Sequence, residues 1–166
     1  MACTHSEKKA AASADSTSAN AATGTAAVEL TDAKTENIYQ GYIALKNAFV
    51  SSNTAAVKTT AATLSVALKA FQGCENTALI ADKIAETGDI KIQRKEFTAL
   101  SSDVIAMFKH ADIKKGSIYI QHCPMANNGE GGDWLSSEKK ISNPYYGDKM
   151  LTCGAVLEEL KTAKLK

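Results

Sequence analysis

Apolar side chains recur at helical spacing from residue 38 onward. Ile38, Tyr42, Leu45 and Phe49 follow one another at four, three and four residues, which is one face of an α-helix. Thr31 or Asp32 supplies a starting cap, and Ser51-Ser52-Asn53 breaks the run. Val57, Ala61, Leu64, Leu68 and Phe71 repeat the pattern, and Gly73 marks its stop. A shorter apolar run from Leu79 to Ile84 predicts a helical piece closed by Gly88-Asp89. Phe97, Leu100, Val104, Met107 or Phe108, and Ala111 predict a further long helix. Both prolines, Pro124 and Pro144, lie beyond these stretches. The stripes read as core-packing faces, and short connections between such helices make neighbours antiparallel.

The pattern changes after Lys114-Lys115-Gly116. Ser117-Ile118-Tyr119-Ile120-Gln121 is β-branched and aromatic, and predicts a short extended segment. Residues 126–133 are rich in glycine and asparagine and read as a loop. Trp134-Leu135 then re-anchors the chain, with an indole N–H that needs one acceptor. Asn143-Pro144 is a turn signal, and Asp148 caps a last helix running to about Lys161. On that helix Met150, Cys153, Leu157 and Leu160 share one inward face. The expected fold is therefore mainly α: an up-and-down antiparallel bundle of about four helices, with a short extended segment and a long loop before the last helix. Residues 31–166 form the single domain. Residues 1–30, dominated by Ala, Ser and Thr, bury too little to offset their ordering entropy and read as a disordered tether.

Bulk composition narrows the function. The 166 residues suit one domain, and 45% apolar content permits a core. A net charge of +1 gives no electrostatic grip on nucleic acid or an anionic membrane surface. The sequence has no run of about 18 apolar residues of the kind that crosses a membrane. The cysteines, Cys3, Cys74, Cys123 and Cys153, are too few for a disulfide-rich scaffold, and no Cys-x-x-Cys occurs. Cys74, after a helix-ending glycine, reads as a small hydrophobe, and His110 as a helix-end imidazole. Cys3 follows a small residue, Ala2, as the cysteine of a bacterial lipoprotein processing site does. The expectation is a lipid on Cys3, with the tether holding a periplasmic domain off the membrane.

The chemistry collects between His122 and Gly154. In an extended backbone residues two apart face one side. Cys123 and Met125 are so spaced, with Pro124 between them favouring extended geometry. His122 adjoins Cys123 and is a fifth candidate ligand, although alternation turns it the other way. Two thiolates and two thioethers form a soft donor set that selects Cu(I) over harder ions. The expected metal site is thus Cys123, Met125, Met150 and Cys153, with His122 beside it.

The ordered elements Cys-Pro-Met-Ala, Trp-Leu-Ser, Ile-x-Asn-Pro-Tyr-Tyr-Gly and Met-Leu-x-Cys-Gly resemble a bacterial domain of unknown function. That domain is often found at the C-terminal end of heavy-metal efflux periplasmic adaptor proteins. It also occurs as a stand-alone secreted or lipid-anchored protein, largely in Bacteroidetes-type bacteria. The resemblance covers roughly residues 35–162. It implies a periplasmic helical domain in copper or related metal handling, with efflux components as partners. It also implies that Cys123, Met125, Met150 and Cys153 are the signature sulfur positions. Beside this stands a structural or interaction domain bridged by a Cys123–Cys153 disulfide, which an oxidising periplasm favours. A thiol redox enzyme is the third reading. No nucleophile, base and orienter constellation is visible, so no enzyme is expected. Hydrolytic and nucleotide chemistry have no motif to support them.

Overall fold

The computed structural model describes residues 27–163. Cys3 and the stretch read as a tether up to residue 26 lie outside the described residues.

Four helices follow one another: α1 (Ala33–Val50), α2 (Thr54–Lys69), α3 (Glu75–Glu86) and α4 (Ile90–Phe108). Three of the four starts, those of α1, α2 and α4, have a side-chain cap. The Asp32 carboxylate accepts from the Thr35 N–H and hydroxyl, both at 2.8 Å. Asn53 accepts from Ala56 N–H at 3.0 Å, and Asp89 from Lys91 N–H at 2.8 Å. Such caps satisfy amides that the first helical turn leaves without a partner. The short piece expected around Leu79–Ile84 is a full helix, α3, and buries Ala78, Ala81 and Ile84. Consecutive helices pack on one another, α1 on α2, α2 on α3 and α3 on α4, as an up-and-down mainly-α bundle does.

Aromatic rings join the first helix to the last. Phe97 of α4 meets Phe49 at 4.6 Å and Tyr42 at 5.7 Å between centroids. The Tyr42 hydroxyl, fully buried, hydrogen-bonds Ser101 at 2.7 Å and accepts from Leu135 N–H at 3.2 Å. That second bond ties the bundle to the C-terminal half.

The C-terminal half is built on strands. β1 (Glu29–Leu30) pairs antiparallel with β2 (Ile113–Lys115). Val28 and Leu30 are buried, so the folded region starts slightly before residue 31. β3 (Ser117–Cys123) extends the expected segment by two residues and is the middle strand of a sheet ordered β4-β3-β5. Ala126–Gly129 is one turn, α5, in which Asn127 and Asn128 are left-handed (φ 53° and 59°). The last two residues of the expected 126–133 loop are already in β4 (Gly132–Ser136).

The expected last helix does not form. Gly147–Lys149 make a single 3-10 turn, and Ala155–Lys161 form strand β5, antiparallel to β3. Leu157 is 62% exposed, not part of an inward stripe. The sequence Ala-Val-Leu-Glu-Glu-Leu-Lys carries good helix formers. Propensity is overridden here because β3 offers a free row of backbone donors and acceptors.

Candidate functional site

Strand β3 carries one end of the site. Its register sets Gln121 opposite Trp134, His122 opposite Asp133 and Cys123 opposite Gly132. Side chains alternate across a sheet, so Tyr119, Gln121 and Cys123 share one face while Ile120 and His122 take the other. Trp134, fully buried, finds its indole acceptor in Gln121 Oε1 at 2.8 Å. The Gln121 amide in turn donates to the Glu138 carbonyl at 2.7 Å, which folds residues 138–140 over this face. Cys123 is fully buried at the end of the row.

The second sulfur arrives through the Asn-Pro-Tyr-Tyr-Gly segment. Asn143 is fully buried, and its amide works in both directions. Its Oδ1 accepts from the N–H groups of Tyr145 (2.8 Å) and Tyr146 (3.2 Å), and its Nδ2 donates to the Cys153 carbonyl at 2.9 Å. Arg94 of α4 donates to the Pro144 carbonyl at 2.9 Å and to the Phe49 carbonyl at 3.1 Å, which fastens this segment to the bundle. Tyr145 stands between Phe97 and Trp134, at 5.6 and 6.1 Å. Gly154 then lies against β3 with φ +141°; a Cβ there would sit 2.7 Å from the His122 carbonyl oxygen and 3.1 Å from the Trp134 ring. Only glycine permits both the angle and the approach.

The result brings two sulfurs together. Cys123 Sγ and Cys153 Sγ are 2.9 Å apart across 30 residues of chain, and both are free thiols. Cys153 is partly exposed, whereas Cys123 has no contact with solvent. The Cys153 thiol is pushed above its ordinary range, first by its hydrogen bond with Cys123 and then by burial and the neighbouring thiol's charge. The Met125 backbone amide pulls the other way. The Tyr146 hydroxyl donates to the Met125 carbonyl and fixes that backbone.

The remaining candidates are placed differently. Met125 is 52% exposed and Met150 half-buried, so both sit at the rim rather than inside. The shared helical face proposed for Met150 and Cys153 is replaced by a turn, in which Cys153 N–H bonds the Met150 carbonyl at 3.0 Å. His122 is on the far face of β3, with Nδ1 2.6 Å from Asp133 Oδ1. It lines a separate shallow cleft of about 140 Å³ with Thr98, Ser102, Glu130 and Asp133. Among the described residues, no three of His, Cys, Asp and Glu gather as a metal-ligating group. Cys74 starts α3, half-buried, its thiol raised by burial and nearby carboxylates. Arg94 carries no signal in the sequence, and Asn143 and Gly154 enter there only as motif members without a stated role at the site. The asparagine was legible only as a turn signal, and the arginine's partners are 45 and 50 residues away.

Residues 38–116, just under half of the chain, match a family described as a protein of unknown function, DUF3347. The stretch runs from α1 through β2. It is the helical half that supports a domain of unknown function, and the match ends before the strand that carries Cys123. No curated protein and no solved structure matches the chain. Among the described residues no helix is long and apolar enough to cross a membrane.

Proposed function

We propose that this chain is a soft-metal binding accessory protein that takes Cu(I) as cargo between Cys123 and Cys153. The observation that carries the reading is the pair itself: two cysteine sulfurs, held 2.9 Å apart by different elements, one of them reachable from solvent. The donor set suits a soft monovalent ion. Two thiolates satisfy Cu(I), while a borderline ion such as Zn²⁺ takes four ligands, which do not converge among the described residues. Metal–sulfur bonds of about 2.3 Å on a near-linear two-coordinate ion require the sulfurs to open by roughly 1.7 Å, with loss of both protons. Cys153 lies in a turn between the 3-10 turn and β5, where such a shift is least costly. Met125 and Met150 are near the two cysteines in the chain, and under this reading their thioethers screen the ion or complete its shell. His122, on the far face, is not part of this site. The heavy-metal efflux setting, the periplasmic location and the lipid on Cys3 belong to the same proposal and rest on the sequence resemblance.

The test is an anaerobic Cu(I) titration of the reduced protein against a chromophoric competitor. One equivalent should be withdrawn from the competitor, and a Cys123→Ser, Cys153→Ser double variant should lose this. Equal competition by the double variant would overturn the assignment.

A structural bridge is the second reading, favoured by the closeness of the sulfurs. A disulfide bond of about 2.05 Å is a short step from the observed separation. By the chain-entropy estimate, closing this loop contributes roughly 3 to 4 kcal/mol. Under that reading the two single Cys→Ser variants lose similar stability, and the double variant loses no more.

A further inference from the structure

Beyond metal binding, and independently of it, we infer that Cys123 and Cys153 form a reversible dithiol–disulfide couple that reduces a low-molecular-weight disulfide, with Cys153 as the exchanging sulfur. Three observations carry this. The sulfurs are 2.9 Å apart, so an S–S bond of about 2.05 Å needs them to close by less than an ångström. Their access is unequal: Cys153 is partly exposed and Cys123 is fully buried, so an external disulfide meets Cys153 first. Finally, the frame around the pair closes without a covalent bond. His122 pairs with Ala155, Gly154 packs on the His122 carbonyl, and Asn143 holds the Cys153 carbonyl at 2.9 Å. Reduction therefore moves the sulfurs by less than an ångström, and the bond can form and break within one fold.

The chemistry balances in two exchanges. Cys153, its proton given to solvent, attacks one sulfur of the small disulfide. The external S–S bond breaks, one small thiol leaves, and a mixed disulfide remains on Cys153. The Cys123 sulfur then attacks the Cys153 sulfur and expels the second small thiol, which takes up a proton. The pair has lost two electrons and two protons, and the external disulfide has become two thiols.

The experiment uses the full chain with Cys3 and Cys74 replaced by serine, metal-free, treated with oxidised glutathione. Samples are quenched in acid, and the products are mapped by mass. The wild-type pair should lose two hydrogens and form the Cys123–Cys153 bond, and reduced glutathione should reverse it. Cys123→Ser should accumulate glutathione on Cys153. Cys153→Ser should react at Cys123 at least about tenfold more slowly, because a buried thiol is shielded. Alkylation of the reduced wild-type pair by iodoacetamide gives the order of reaction without any change at the pair, and Cys153 should react first. Faster modification of Cys123, or mixed disulfide on Cys153 that Cys123 never resolves, would overturn the inference. A failure here leaves the copper titration unaffected. Loss of copper binding leaves this exchange unaffected, so the two ideas fail separately.

Discussion

Asn143 does more for the site than any residue that carries a sulfur. Its one side chain ends the Asn-Pro-Tyr-Tyr-Gly turn and aims Cys153, through bonds of 2.8, 3.2 and 2.9 Å. Asn143→Ala leaves the buried Tyr145 N–H, the partly buried Tyr146 N–H and the Cys153 carbonyl short of partners. A stability loss of about 2 to 4 kcal/mol is expected in urea denaturation, together with weaker Cu(I) binding. A cost below about 0.5 kcal/mol would show that the turn is held elsewhere. At this scale the sequence was half legible. Cys123, Cys153 and the packing role of Trp134 could be read from residue type. Asn143 could be read only as a turn signal, because a buried amide's partners are not local in the chain. Gly154 shows the same limit: its need for glycine comes from the His122 carbonyl and the Trp134 ring, both on other elements.

Helices were legible where local rules decide them. Asp32, Asn53 and Asp89 cap α1, α2 and α4, and the apolar spacing matches the buried residues Ile38, Tyr42, Leu45 and Phe49. β5 was not legible, because Met150, Cys153, Leu157 and Leu160 happen to fall at helical spacing. The deciding fact, an open edge of β3, is nonlocal. The two readings differ measurably at Leu157. A core-facing helical leucine costs about 2 to 5 kcal/mol when truncated to alanine, whereas an exposed strand residue changes stability by about 0.5 kcal/mol or less. Leu157→Ser should fall in the second class by thermal and urea unfolding. A loss above about 2 kcal/mol would mean that the residue is covered.

The described residues form a helical bundle and two small sheets that share one hydrophobic core, with a few polar joints across it. Arg94 and Tyr42 are two of them, and Lys46 of α1 is a third. Lys46 is 5% exposed and faces Glu138, from the segment folded over β3. Burial pulls its ammonium down to about 8, with Glu138 opposing the shift. The ordinary lysine value is about 10.4, so between these two values the unfolded chain holds the extra proton. Stability should therefore rise as pH increases through that window and level off above it. Lys46→Met should abolish the rise and add on the order of 2 kcal/mol at neutral pH, read from urea midpoints between pH 7 and 10. An unchanged pH profile would place the ammonium in water. Such joints could not be read from the sequence, since helix periodicity says which face is buried and not what covers it.

Because His122 and Cys123 are neighbours on one strand, they look out on opposite sides of it. The imidazole is gripped by Asp133 and never touches the sulfurs. It is a spectator placed back to back with the chemistry, one peptide unit away. A proton resonance on that ring would follow the sulfur pair as it is reduced, bridged or loaded, without any label in the site itself.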